Sequence, residues 1–203
     1  MTEEQTQPIE KLEVGDKIVR FGRVFEVFDV TKEKNPCSGE EEEIVHFKPV
    51  YATQANQTLV CAIPIKNIVK TNIRLPMSDE EVEALLKMMK GMVDDPTKRF
   101  NTRQAKEVLK SNDPEKIALI LKRLAVVRRD PDTNFTYTKK RIFRQAMKRL
   151  QEEIALVKGI EIEEAKDLLA RILKVQAVES LPLDEAADDI ALEIDDDDDC
   201  DEE

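Results

Sequence analysis

Residues 137–153, "YTKKRIFRQAMKRLQEE", place six Lys and Arg in a short stretch of a chain whose formal net charge is −11. At about 100° per residue, one side of this stretch and its continuation is apolar and the other side is basic. The apolar side consists of Phe143, Ala146, Met147, Leu150, Ile154 and Val157, and the basic side of Lys140, Arg141, Arg144 and Lys148. The pattern predicts an amphipathic helix that buries one side, presents the other to a partner and ends at Gly159 as a C-cap.

The charge is divided unevenly along the chain. Residues 98–149 have a net charge of +11, residues 1–97 of −6 and residues 179–203 of −14. A basic helix is often only a solvated surface, because Lys and Arg are good helix formers. Here the excess extends over three predicted helices, and a phosphate backbone is a common partner for such a patch. Both interpretations stay open on charge alone.

Three further helices complete an all-helical module over residues 98–176. One is predicted over residues 100–111, and a second begins at Asp113 as N-cap with Pro114 at its first position. The last covers roughly residues 161–176. Their apolar residues recur at helical spacing, so we expect a compact bundle.

The first part of the chain has the pattern of short strands. Residues 14–30 contain two β-rich runs broken at Gly22, and residues 43–51 and 57–65 supply two more. We expect a small, strongly bent sheet or barrel. Ser78 and Glu81 then form a capping box that predicts a helix over residues 79–90, which we expect to close the β module. The predicted class is α+β, with a β domain at 1–92.

Several classes of function find no support in the sequence. His46 is the only histidine, and Cys37, Cys61 and Cys200 form no CxxC pair, so no metal site, cofactor or disulfide framework is indicated. No nucleotide-binding or nucleophile motif occurs, so we expect no enzymatic activity. No apolar run of about 18 residues is present to span a membrane. The acidic residues 179–203 are typical of a disordered, solubilising tail, or alternatively of a segment that competes with DNA for the basic surface.

The order of these elements resembles the CarD/CdnL family of bacterial RNA-polymerase-binding transcription regulators. "LEVGDKIV" is similar to the family's first strand, and "CAIPIKNIVKTNIRLPMSDEEVEALLKMM" to its strand, P-x-x-N/A turn, Arg and helix. "LKSNDPEKIALILKRLAVVRRD" resembles the L-x-S-G-D helix start. "FTYTKKRIFRQAMKRLQEEIALVKG" is similar to the helix that contains A-x-x-x-L-x-x-E. Together the matches extend over about residues 12–174.

The resemblance implies a division of labour between the two modules. The Tudor-like β module would dock on the β subunit of RNA polymerase by pairing through an edge strand. The helical module would lie on promoter DNA at the upstream edge of the bubble and modulate open-complex stability. The implied polymerase-binding residues are Val45, Phe47, Leu59, Cys61, Ala62, Ile63 and Pro64. The implied DNA-binding residues are Lys98, Arg99, Phe100, Arg103, Lys122, Arg123, Lys140, Arg141, Arg144 and Lys148.

Three departures from the family pattern stand out. The family's Y-P-x-H-G-V-G after the first strand is replaced by the shorter "VRFGRVFEV". The family's Trp wedge is absent, with Lys98 at that position in an ungapped alignment and Phe100 there if two residues are dropped. Phe100 is a candidate apolar wedge, or alternatively a linker or core residue. A basic docking residue of some members corresponds to Ala62 here.

An alternative function is an RNA- or ribosome-associated module whose β domain acts as an RNA-binding barrel. The net charge of −6 over residues 1–97 argues against it and favours a protein partner. We therefore expect a monomeric, cytoplasmic, nucleoid-associated regulator that bridges RNA polymerase and promoter DNA. Whether it activates or represses is not encoded in these patterns.

Overall fold

The computed structural model describes residues 11–34, 41–52, 56–91, 101–129 and 135–174. An antiparallel sheet comes first in the chain, and five helices follow it. The α+β class predicted from the sequence is therefore confirmed. The acidic segment 179–203, Cys37 and Cys200 lie outside the described residues.

The sheet is a curled half-barrel whose strands lie in the order β4-β3-β2-β1-β5. The strands are β1 (Lys17–Arg20), β2 (Arg23–Lys34), β3 (Glu41–Pro49), β4 (Cys61–Pro64) and β5 (Ile73–Arg74), with two 3₁₀ turns at Ile65–Asn67 and Val69–Thr71. Alternating residues such as Ile18, Phe25 and Val27 fill its core. Four of the five strands agree with the predicted runs. The two residues of β5 are too few to give a period-2 pattern.

The helices are α1 (Asp79–Lys90), α2 (Thr102–Ser111), α3 (Pro114–Arg129), α4 (Tyr137–Lys158) and α5 (Ile162–Leu173). Their ends follow the predicted capping chemistry. Ser78 and Glu81 form the capping box of α1, and the Asp113 carboxylate accepts the Lys116 N–H at the start of α3. Gly159 adopts the left-handed conformation at the end of α4, with φ 63°.

Helix α1 packs mainly with the other helices. Its buried face belongs to one core shared with α3, α4 and α5. The residues of that face are Val82, Leu85, Leu86 and Met89. This differs from the expectation that the helix closes the β module, because its apolar stripe meets the Leu- and Ile-rich faces of the following helices instead.

A two-residue turn, Phe21-Gly22, joins β1 to β2. Both residues have positive φ, 50° and 71°, which is the geometry that matches the twist of hairpin strands. The tip of this hairpin lies against α4, since a Cβ atom on Gly22 would lie only 2.4 Å from Cγ of Arg149. Glycine is therefore needed at position 22 both for its φ angle and for the close approach.

Candidate functional site

The outward side of α4 is a basic stripe formed by Lys140, Arg141, Arg144 and Lys148. Eleven of the 22 residues of α4 are buried. In the stripe, Lys140 is exposed, and Arg141, Arg144 and Lys148 are half-buried. Within the described residues, none of the four forms an ion pair or a hydrogen bond with another side chain. Lys148 interacts electrostatically with the buried Glu152 carboxylate. The four neighbouring cations still repel one another, and a bound polyanion would relieve that repulsion.

The other predicted DNA-binding residues do not all join this stripe. Arg103 on α2 is exposed, with its Nε 3.7 Å from a Glu107 carboxylate oxygen. Arg123 on α3 is half-buried. Lys98, Arg99 and Phe100 lie outside the described residues.

Lys122 is a structural residue, which corrects its assignment to a DNA-binding surface. Only 9% of the residue is exposed. Its Nζ donates a hydrogen bond of 2.9 Å to the Met88 carbonyl oxygen in the last turn of α1. Because the last carbonyls of a helix lack intrahelical partners, this contact caps α1 and ties it to α3.

Strand β4 occupies the end of the sheet. It pairs with β3, for example Val45 with Ile63 and His46 with Ala62, and no other described strand lies beyond it. Ala62 is exposed, whereas Cys61 and Ile63 pack against the core of the sheet. An edge strand presents backbone N–H and C=O groups that can pair with a strand of another protein.

Val45 and Phe47 are core residues, which corrects their assignment as polymerase contacts. Each is only 1% exposed. The Phe47 ring meets the Phe25 ring edge-on, with 5.3 Å between their centroids. Their side chains support β3 from inside, so a partner at the edge would meet Ala62, Pro64 and the exposed Leu59.

Between the sheet and the helices lies a set of buried polar contacts that we call the polar junction. Its members are Gly22, Arg23, Arg74, Asn112, Arg149, Glu152 and Glu153. The Arg74 guanidinium donates two hydrogen bonds of 2.6 Å to the Glu153 carboxylate. Glu153 is 1% exposed and also accepts the Met77 N–H at 2.8 Å. This charge-assisted pair connects Glu153 of α4 to Arg74 of β5, the strand at one end of the sheet.

Asn112, at the end of α2, contributes three hydrogen bonds from one side chain. Its Oδ1 accepts the Gly22 N–H at 2.6 Å. Its Nδ2 donates to the carbonyl oxygens of Val19, at 3.2 Å, and Asn72, at 2.9 Å. The amide is thus shared among three separate segments of the β module, and Asn112 is only 3% exposed.

Two more residues of α4, Glu152 and Arg149, complete the polar junction. Glu152 accepts the Val24 N–H at 3.1 Å, and its carboxylate lies 3.3 Å from Nε of Arg23. Arg149 packs its aliphatic stem on Gly22 and donates from Nη1 to the Leu109 carbonyl oxygen. Directional contacts therefore join the sheet to both α2 and α4.

Comparison with known families gives one match in this part of the chain. Residues 81–170 match the family model described as CarD, C-terminal domain. This part of the chain is therefore similar to the C-terminal domain of CarD proteins. A domain of this kind favours a CarD-like regulator that interacts with RNA polymerase. No curated protein matches the chain.

The CarD-like motifs of the chain converge on the polar junction. The Arg of the segment with the P-x-x-N/A turn is Arg74, and the Glu that ends A-x-x-x-L-x-x-E is Glu153, its partner. The L-x-S-G-D motif supplies Leu109, whose carbonyl binds Arg149, and Asn112 at the position of the family's Gly. Gly and Asn are the residues that most readily adopt the left-handed conformation seen here, with φ 58°.

Helical periodicity did not indicate this junction. Arg149, Glu152 and Glu153 are charged residues near the start of the second half of α4, and the binary pattern places such residues in solvent. The family motifs offered one indication of the junction. An Arg in one motif and a Glu in another are candidates for an ion pair with each other. The described residues contain no group of three or more His, Cys, Asp or Glu that could hold a metal ion. Among the described helices, none is long and apolar enough to cross a membrane.

Burial raises the pKa of the Glu152 carboxyl, and Arg23 and the Val24 N–H only partly oppose this effect. The folded protein therefore binds a proton at Glu152 more tightly than the unfolded chain does. Between the unfolded pKa of glutamate and the raised folded pKa, this residue lowers the stability as the pH rises. Each unit of pKa difference corresponds to about 1.4 kcal/mol.

We expect Glu152→Gln to remove this dependence. The free energy of unfolding of the variant minus that of the wild type should increase as the pH rises from the unfolded pKa of glutamate to the raised folded pKa of Glu152. Urea unfolding of both proteins at several pH values from about 4 to 7.5 measures the difference. A difference that decreases with pH would contradict the prediction. Glu164→Gln, an exposed substitution on α5, is the control and should leave the pH profile unchanged.

Proposed function

We propose that the protein docks on the β subunit of RNA polymerase through β4 and holds promoter DNA on the basic stripe of α4. At the upstream edge of the transcription bubble, this arrangement modulates the stability of the open complex. The observation that carries the proposal is the basic stripe, on a helix whose opposite side is buried in a bundle that matches the CarD C-terminal domain. As a non-enzymatic regulator, the protein would act as a monomer in the cytoplasm, associated with the nucleoid.

The β module supports the docking half of the proposal. Strand β4 is at the edge of the sheet, and its side chains alternate between the core and solvent. In edge pairing, main-chain hydrogen bonds supply affinity and the outward side chains supply specificity. The buried Val45 and Phe47 would fix the position of this edge without touching the partner.

The basic stripe supports the DNA half of the proposal. Lys and Arg side chains position a protein on the phosphate backbone and release counterions, without reading the base sequence. A regulator that acts at many promoters needs this kind of contact. Because such contacts are weak at physiological salt, the polymerase would hold the stripe near the DNA and raise its effective concentration.

The test uses the full chain in two assays. The first titrates the protein against an isolated β-subunit lobe of bacterial RNA polymerase, where saturable binding is expected. The second measures open-complex lifetime at a promoter with and without the protein, where a change in lifetime is expected. If the lobe does not bind, the docking half of the proposal is wrong. If it binds and the lifetime is unchanged, the DNA half is wrong.

Ala62→Arg provides a gain-of-function test at the edge strand. Position 62 is exposed on β4, and some CarD-like proteins have a basic docking residue at the corresponding position. An exposed charge pair contributes up to about 1 kcal/mol, so we expect affinity for the lobe to increase by up to about fivefold. The matched control is Lys70→Ala, an exposed charge change in a 3₁₀ turn, which should leave affinity unchanged. Equal affinity of Ala62→Arg and wild type would place the partner away from this face of β4.

A further inference from the structure

We propose that the polar junction is a positioning device and that Asn112 is its principal positioning residue. The junction fixes the orientation of the basic stripe relative to the edge of β4. Docking of β4 on the polymerase would therefore determine where the basic stripe lies. Its functional consequence rests on the proposed function, whereas its geometry rests on contacts within the chain alone.

Helix α4 carries both the basic stripe and the helical half of the junction. Lys148, the last residue of the stripe, is adjacent in sequence to Arg149, whose stem packs on Gly22 of the hairpin. Glu152 and Glu153 follow within the next turn and bind the sheet. No loop separates the DNA-facing residues from the residues that contact the β module. A rotation of the sheet would therefore have to break the junction or move the stripe with it.

The chemistry of the junction suits orientation better than stability. Burying charges carries a desolvation cost, so a buried ion pair often stabilises a fold no more than an apolar contact of the same size. Its hydrogen bonds are directional, however, and an apolar interface could slide by small steps. Glu153, with two bonds from Arg74 and one from Met77, restricts the orientation of α4 against the end of the sheet.

Asn112 is where this chain departs from the family's L-x-S-G-D motif. A glycine would satisfy the left-handed backbone equally well but would contribute no side chain. The Asn amide instead binds the hairpin, β1 and the turn before β5 through Gly22, Val19 and Asn72. This chain also has a shortened first hairpin, and its tip is the segment that the Oδ1 atom holds. We infer that the Asn and the short hairpin act together.

Residual dipolar couplings of the full chain test the geometry directly. In the wild type, amides of the sheet and of the helices should fit a single alignment tensor. In Asn112→Gly, which keeps the backbone conformation and removes the three bonds, the two sets should require different tensors. Lys174→Gly is the matched control, because Lys174 is also left-handed at a helix end, with φ 53°, but is exposed, and its N–H donates to carbonyl oxygens of α5. It should retain a single tensor.

Arg74→Lys is a second variant that keeps a charge beside Glu153. It removes the Nε bond to the Asn112 carbonyl oxygen and one of the two bonds to Glu153, so it should also require two tensors. Two tensors in the wild type, or one tensor in Asn112→Gly, would overturn the proposal.

Open-complex lifetime then tests the consequence. When the junction is loosened, the stripe samples more positions and its effective concentration at the DNA decreases. We therefore expect the effect of the protein on open-complex lifetime to decrease about tenfold in Asn112→Gly. Affinity for the isolated lobe and for free DNA should not change. A full effect on lifetime despite two tensors would overturn the positioning role. If the wild type itself has no effect on lifetime, the proposed function fails, and the tensor comparison still decides whether the junction fixes the orientation.

Discussion

Reversing Arg141, Arg144 and Lys148 to Glu is expected to lower affinity for double-stranded DNA by about 100-fold at physiological salt and to abolish the effect on open-complex lifetime. The substitutions replace three cations by three anions at half-buried positions of α4 that solvent reaches. Each lost phosphate contact weakens binding and reduces its salt dependence. Fluorescence anisotropy with a labelled promoter fragment at several salt concentrations measures both quantities.

The control for this variant changes the net charge by the same amount elsewhere. Lys32, Lys34 and Lys70 are exposed on the β module, and their reversal to Glu leaves the stripe intact. If affinity depends on the stripe, this control should lose far less DNA binding, and both variants should still bind the β-subunit lobe. Equal losses in the two variants would mean that overall charge, and not the stripe, determines DNA binding. Loss of lobe binding in the first variant would show that the basic face contacts protein.

The sequence predicted the elements of this fold better than the relation between them. Capping signals located α1 and the end of α4 because caps are local: Ser78 with Glu81, and Gly159, act within one turn. The basic stripe followed from helical periodicity for the same reason. The packing of α1 depends on which apolar face lies nearest in three dimensions, and a periodic pattern does not contain that information.

The candidate site shows the same limit. Lys122 lies off the apolar stripe of α3, as a solvent-exposed residue would, yet its ammonium caps the end of α1. Val45 and Phe47 alternate along β3 as expected, but alternation alone does not tell which face is buried. The polar junction joins residues 79 positions apart, Arg74 and Glu153, so no local pattern could reveal it.

Arg74→Ala should be the most destabilising of the substitutions considered, by about 3–5 kcal/mol. In the wild type Glu153 is only 1% exposed, and it accepts hydrogen bonds from Arg74 and from the Met77 N–H. Without Arg74, only the Met77 N–H of these donors remains for the buried carboxylate. A buried charge that has lost its partner strongly lowers the free energy of unfolding. Replacing both members of the pair by apolar residues does not. Guanidinium unfolding followed by circular dichroism measures the free energy of unfolding.

Two comparisons separate the cost of the buried charge from the loss of a contact. Lys158→Ala removes another ion-paired residue of α4, but the partners Asp79 and Glu83 are mostly exposed, so its cost should be small beside that of Arg74→Ala. In Arg74→Met with Glu153→Met, no charge remains buried, and much of the stability lost in Arg74→Ala should return. Such a double variant would retain the fold yet lack the directional bonds at the end of the sheet. If it stays stable but fits two alignment tensors, the ion pair serves orientation; if it remains as unstable as Arg74→Ala, the pair is a requirement of folding itself.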